Sequence, residues 1–92
     1  MPSKRFMIMR FSIEQRHLTD AAGKPIARDG REVSFEVMEA ASVDDAIRLH
    51  VGDCSAEVIG NVIKFPGFQA VATMRNRDGV YTLQVAPASG AA

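Results

Sequence analysis

Over residues 6–13 apolar and polar side chains alternate. Met7, Met9, Phe11 and Ile13 take the odd positions, while Arg10, Ser12, Glu14 and Arg16 occupy the even ones through residue 16. A two-residue period predicts a half-buried strand with its odd face inward. Val33, Phe35 and Val37 alternate in the same way with Glu32, Ser34 and Glu36. That predicts a second strand, antiparallel to the first, with both apolar sets on the core side and Arg10 near Glu36 and Arg16 near Glu32 on the other. Residues 19–25 and 28–31 carry the Asp, Gly and Pro chemistry of turns, so the connection reads as a protruding arm. Leu18, Pro25 and Ile26 either extend the ladder or give way to a bulge there.

The period then changes. Val43, Ala46, Ile47, His50 and Val51 recur every three or four residues, the stripe of an amphipathic helix. Ser42 three residues before Asp45 resembles a capping box, Asp44 and Asp45 suit the positive helix start, and Gly52 offers a left-handed stop. Residues 54–65 fit either type, but the β-branching of Val58, Ile59, Val62 and Ile63 favours strand, with Gly60 and Asn61 as a hairpin turn. Pro66 and Gly67 suit a type II turn or bulge, with Phe65 and Phe68 tucked into the core. A last hairpin turns at residues 76–79 and places Tyr81, Leu83 and Val85 on the core face.

The expected fold is therefore α+β: a mainly antiparallel, curved four- to five-stranded sheet packed on one short helix, in the order ββαβββ. Residues 1–86 form one domain, and 87–92 a disordered tail with nothing to bury. Five strands at about 4.8 Å spacing make a sheet roughly 19 Å across. A helix about 10 Å wide and 15 Å long covers perhaps half of one face. A curled sheet, a second helix or a second copy must supply the rest, and curling with dimerisation is the expectation.

Composition narrows the class. The apolar share of 47% belongs to a globular chain. No run approaches the ~18–20 apolar residues of a membrane span, and the run at residues 6–9 is too short for a secretory signal, which makes the cytoplasm the expected address. Cys54 is the sole cysteine, so no internal disulfide is available. Net charge is zero but uneven: seven basic residues face four acidic ones up to Glu32, and the balance reverses beyond it.

Candidate chemistry is sparse. His50 and Cys54 would stack four residues apart on a helix, where an imidazole can activate a thiolate, although a stop at Gly52 would break that geometry. His50, Asp53 and Cys54 fall short of a zinc set, since His17 sits on a distant element. No phosphate-binding glycine motif is present, and no cofactor is expected. The basic arm, with Arg16, Lys24, Arg28 and Arg31 beside Lys4 and Arg5, suits phosphates but holds interspersed acids and no aromatic. Phe6, Ile8 and Met38 are expected to form an apolar patch at one end of the sheet.

The leading functional expectation is a non-enzymatic protein acting by protein contacts, as a homo-oligomer, most simply a dimer, or as an accessory binding module. A nucleic-acid-binding module using the basic arm, and a small-ligand or thiol enzyme centred on His50 and Cys54, are the alternatives.

Overall fold

A computed structural model of the chain describes residues 8–27 and 32–88. Its elements are β1 (Met9–Thr19), β2 (Val33–Ala40), α1 (Val43–Asp53), β3 (Glu57–Phe65), β4 (Gln69–Asn76) and β5 (Gly79–Pro87). The strands form one antiparallel sheet in the order β2-β1-β5-β4-β3, left open at both edges. The ββαβββ order of an α+β fold is as the periodicity predicts.

The topology dictates where the helix lies. β2 and β3 are opposite edges of the sheet, roughly 19 Å apart at the ordinary strand spacing. The chain between them must cross one face, and the eleven residues of α1 span about 16 Å of that distance. Under the helix lie Phe11, Ile13, Ala70, Ala72, Met74, Leu83 and Val85, closed from above by Val43, Ala46, Ile47 and Val51. Full burial of a side chain such as Phe11 or Leu83 stabilises by about 1.5–3 kcal/mol.

The helix starts as its sequence predicts: Ser42 accepts from the Asp45 backbone N–H at 3.1 Å. Its end differs. Gly52 stays helical, and Ser55 takes the left-handed conformation instead, with φ of 52°. The Ser55 N–H donates to the Gly52 carbonyl and the Ala56 N–H to the Val51 carbonyl, the paired bonds of a Schellman end. One consequence is that Cys54 completes a helical bond to the His50 carbonyl at 3.0 Å.

Residues 57–65 are strand, but Gly60 and Asn61 do not turn a hairpin. Gly60, with positive φ, lies in an irregularity that lets β3 continue along β4. Pro66, Gly67 and Phe68 make the β3–β4 turn, with φ of 82° at Gly67, and Phe68 is displayed at 61% exposure rather than tucked in. In the arm, the Ile26 N–H donates to Leu18 and the His17 N–H to Glu32, so the ladder does extend past β1's turn. β5 runs through Pro87, and the Ala88 N–H reaches the Arg10 carbonyl at 2.8 Å. The expected tail beyond residue 88 lies outside the described residues.

The principal correction concerns β2. Phe35 is 70% exposed and Val37 58%, with Val33 also exposed, whereas Met38 and Ala40 pack toward the core. Phe11 faces Met38 and Ile13 faces Glu36 across the ladder. The apolar set expected inside thus points away from the helix. A shift of one residue in pairing exchanges the faces of a whole strand, and Ala40, buried just before the turn into α1, sets the parity found. Arg10 accordingly meets Glu39 at 3.8 Å rather than Glu36, and Arg16 meets Glu14 of its own strand.

Candidate functional site

Two features carry chemistry. The first is a polar cluster at one end of the helix–sheet interface. His50, 5% exposed, is the one buried polar residue among those described. Its Nε2 donates to Gln15 Oε1 of β1 at 2.7 Å, and its Nδ1 lies 3.4 Å from Glu36 Oε1 of β2. Because α1 continues past Gly52, Cys54 falls on the same face, with Sγ 3.6 Å from His50 Nε2 and 3.8 Å from Gln15 Oε1. Gln15 and Glu36 are partners that spacing along the chain does not disclose, since only the strand register brings them under the helix.

This cluster is arranged to keep the thiol protonated. Burial pushes the Cys54 pKa up, and the negative charges of Glu36 and Asp53 push it further in the same direction. A nucleophilic cysteine needs the opposite environment. His50 Nε2 sits closer to Gln15 Oε1, at 2.7 Å, than to Cys54 Sγ, at 3.6 Å. Beside Cys54 opens a cavity of about 570 Å³ lined by Ser55, Asn76, Arg77 and Asp78. Asn76 donates to the Cys54 carbonyl there at 3.2 Å. No set of three His, Cys, Asp or Glu side chains converges on a metal position among the described residues. His17 is stacked on Tyr81 at 4.2 Å and bonds the Asp78 carbonyl, away from His50.

The second feature is the sheet face opposite the helix. Two rows of facing residues cross it from edge to edge. One runs Phe35, Glu14, Gln84, Val71, Ile63, and the other Val33, Arg16, Thr82, Thr73, Ile59. Both are apolar at their β2 and β3 ends and polar along β1 and β5. Ile63 is 56% exposed, and Phe65 is exposed on the same edge. Between β3 and β5 the surface sinks into a depression of about 330 Å³ whose outward-facing lining is Phe65, Gln69, Val71, Gln84 and Ala86. An exposed apolar set of this kind marks a contact surface more often than scattered single side chains do.

The residues singled out from sequence are distributed as follows. Ile8 is exposed, Met38 packs against the core on the helix side, and Phe6 lies outside the described residues. Of the basic arm, Arg16 is held by Glu14 at 2.6 Å. Lys24 is exposed in a turn whose Asp20 Oδ1 accepts from the Ala22 and Lys24 N–H groups. Arg28 and Arg31 lie outside the described residues. Alternation alone did mark Phe35 and Val37 as a strand face, but it assigned them to the wrong side. No helix among the described residues is long and apolar enough to cross a membrane.

Compared with protein-family models, curated proteins and solved structures, the chain matches none. The functional reading therefore rests on the two features above.

Proposed function

We propose that the protein works through protein contacts made by the open face of its sheet, and that the occupant of this face is a second copy of the chain. The observation that carries the reading is Phe35, a large aromatic 70% exposed in the middle of a regular strand, with Val33 and Val37 beside it. Area is compatible with it. Five strands by eight residues present a footprint of roughly 19 by 26 Å, about 500 Å² taken flat. That is below the about 800 Å² per partner of a standard interface and is the size of a weak, transient contact. A face with polar β1 and β5 between apolar edges is also soluble enough to be exposed in a free protomer, which suits a reversible dimer.

The thiol reading is weaker because Cys54 is held as a thiol. The nucleic-acid reading loses Arg16 to Glu14, and the arm itself, residues 16–31, holds no Phe, Tyr or Trp. Light scattering and sedimentation across a concentration series test the proposal. The expected result is a dimer that Phe35→Ser converts to a monomer with an unchanged far-UV spectrum. A wild-type chain that stays monomeric at the highest concentration overturns it.

A further inference from the structure

The β2 edge of the open face and its β3–β4 side differ in shape, and that difference specifies how two copies meet. β2 presents protruding side chains, Phe35 and Val37, while the β4 side presents the depression bounded by Phe65, Gln69, Val71, Gln84 and Ala86. Resting on the self-association reading above, we infer that the two open faces pack about a two-fold axis parallel to the strands and running between β1 and β5, so that each Phe35 seats in the other copy's depression over the partner's Val71.

The register of the sheet supports this axis over its rivals. Along the first row the order is Phe35, Glu14, Gln84, Val71. A two-fold between Glu14 and Gln84 inverts that order onto itself. Phe35 then meets the partner's Val71, and Glu14 meets the partner's Gln84, whose amide N–H can donate to the carboxylate. In the second row Val33 meets the partner's Thr73, and Arg16 meets the partner's Thr82, whose hydroxyl accepts. Val37 falls beside Phe35 at the mouth of the same depression. Phe35 covers the partner's Val71, Val33 meets the methyl-bearing Thr73, and Glu14 and Arg16 each meet a neutral hydrogen-bonding side chain, which limits the cost of leaving water. An axis across the strands at this row would instead set Glu14 over the partner's Glu14, a like-charge contact that specific interfaces avoid. An axis along β5 would place Glu14 over the partner's Val71, with no donor for its carboxylate.

The test is a double-mutant cycle in dimerisation. Within one protomer Phe35 and Val71 are three strands apart, roughly 14 Å, too far for direct contact. Any coupling between them in the dimer constant therefore passes between copies. Phe35→Ala is expected to weaken dimerisation at least about tenfold. Val71→Phe alone overfills the depression and weakens it too. The combination Phe35→Ala with Val71→Phe restores a substantial part of the loss, because the ring returns from the other side of the contact. Thr73→Phe with Phe35→Ala, which places a ring outside the depression, does not. Additive losses, in a wild-type chain that does dimerise, overturn this geometry while leaving self-association intact. A monomeric wild type overturns the underlying reading instead.

Discussion

His50 of α1 turns its Nδ1 toward Glu36 of β2 at 3.4 Å, and this contact lies on the helix side of the sheet, where Met38 and Ala40 also point. Glu36 facing inward obliges Phe35 and Val37 to face outward. A polar cluster under the helix and an apolar display on the opposite face are thus one fact about strand parity.

The cluster should be worth measuring as a unit. Removing the imidazole by His50→Ala leaves Gln15 Oε1 without its 2.7 Å donor and opens space beside Val51. We expect a loss of about 1–3 kcal/mol in urea unfolding, typical of a buried polar group deprived of its partner. Gln15→Ala and His50→Ala together should cost less than the sum of the single changes, since each removes the same bond. Additive losses would sink the view that the two residues act together.

Much of the architecture was legible because it rests on local chemistry: alternation for the strands, the Ser42 cap and three-four spacing for α1, Pro66 and Gly67 for a turn. What was not legible depends on who covers whom. A strand such as β2 has Val33, Phe35 and Val37 on one face and Met38 and Ala40 on the other, and alternation does not say which of these meets the helix. The sheet's register does, and register depends on contacts between β1 and β2. The end of α1 failed for a similar reason. Gly52 is the obvious terminator by propensity, yet the backbone bonds from Ser55 and Ala56 carry the chain one residue past it. That extra residue brings Cys54 onto the face of His50.

The raised Cys54 pKa fixes the sign of a pH effect. In the unfolded chain the thiol ionises near about 8.5, whereas in the fold burial and then Glu36 and Asp53 hold it protonated to higher pH. Between these two values the unfolded state has lost a proton that the folded state retains. Stability is therefore fully present below the unfolded pKa and falls as pH rises through the window toward the folded value. Cys54→Ala should flatten the alkaline limb of stability against pH in chemical denaturation. Tyr81, raised in the same direction by burial and by Asp78, Glu32 and Cys54, adds to the decline at higher pH; Cys54→Ala removes only the smallest of these causes, so the difference between the two proteins reports the thiol together with its small effect on Tyr81. Identical limbs would contradict the assigned cause.

The same environment predicts slow thiol chemistry. Alkylation of native Cys54 by iodoacetamide at neutral pH should run well below the rate of the urea-unfolded chain, because the reacting thiolate is scarce. Rapid labelling that His50→Ala abolished would revive the thiol-enzyme alternative.

Two substitutions in and after α1 should stabilise. Gly52 lies inside the helix with nothing within 4 Å of a built Cβ, so Gly52→Ala gains about 0.5–1 kcal/mol from the reduced freedom of the unfolded chain. Ser55 holds φ of 52°, and Ser55→Gly removes the cost, roughly 1 kcal/mol, of placing a side chain there. Both are read as upward shifts of the urea midpoint at constant slope. A neutral or negative result at Ser55 would argue that its left-handed geometry does not hold in solution.

Gly79 is the opposite case. It opens β5 at φ of 135°, buried against the irregularity where β1 shifts register after His17. A Cβ at this position would clash with the Thr19 carbonyl oxygen and lie 2.8 Å from His17 Nε2. The carbonyl belongs to backbone and cannot swing aside as a side chain would, so Gly79→Ala must displace either β1 or the turn at Arg77 and Asp78. Either move disturbs His17 stacked on Tyr81 and its bond to the Asp78 carbonyl. We expect a loss above about 3 kcal/mol, at the severe end for single substitutions, seen as a much lower urea midpoint or as insoluble protein. Where the variant does not fold alone, pairing it with Gly52→Ala and Ser55→Gly restores margin for the measurement. A near-neutral Gly79→Ala would contradict the close packing of β1 against the β4–β5 turn.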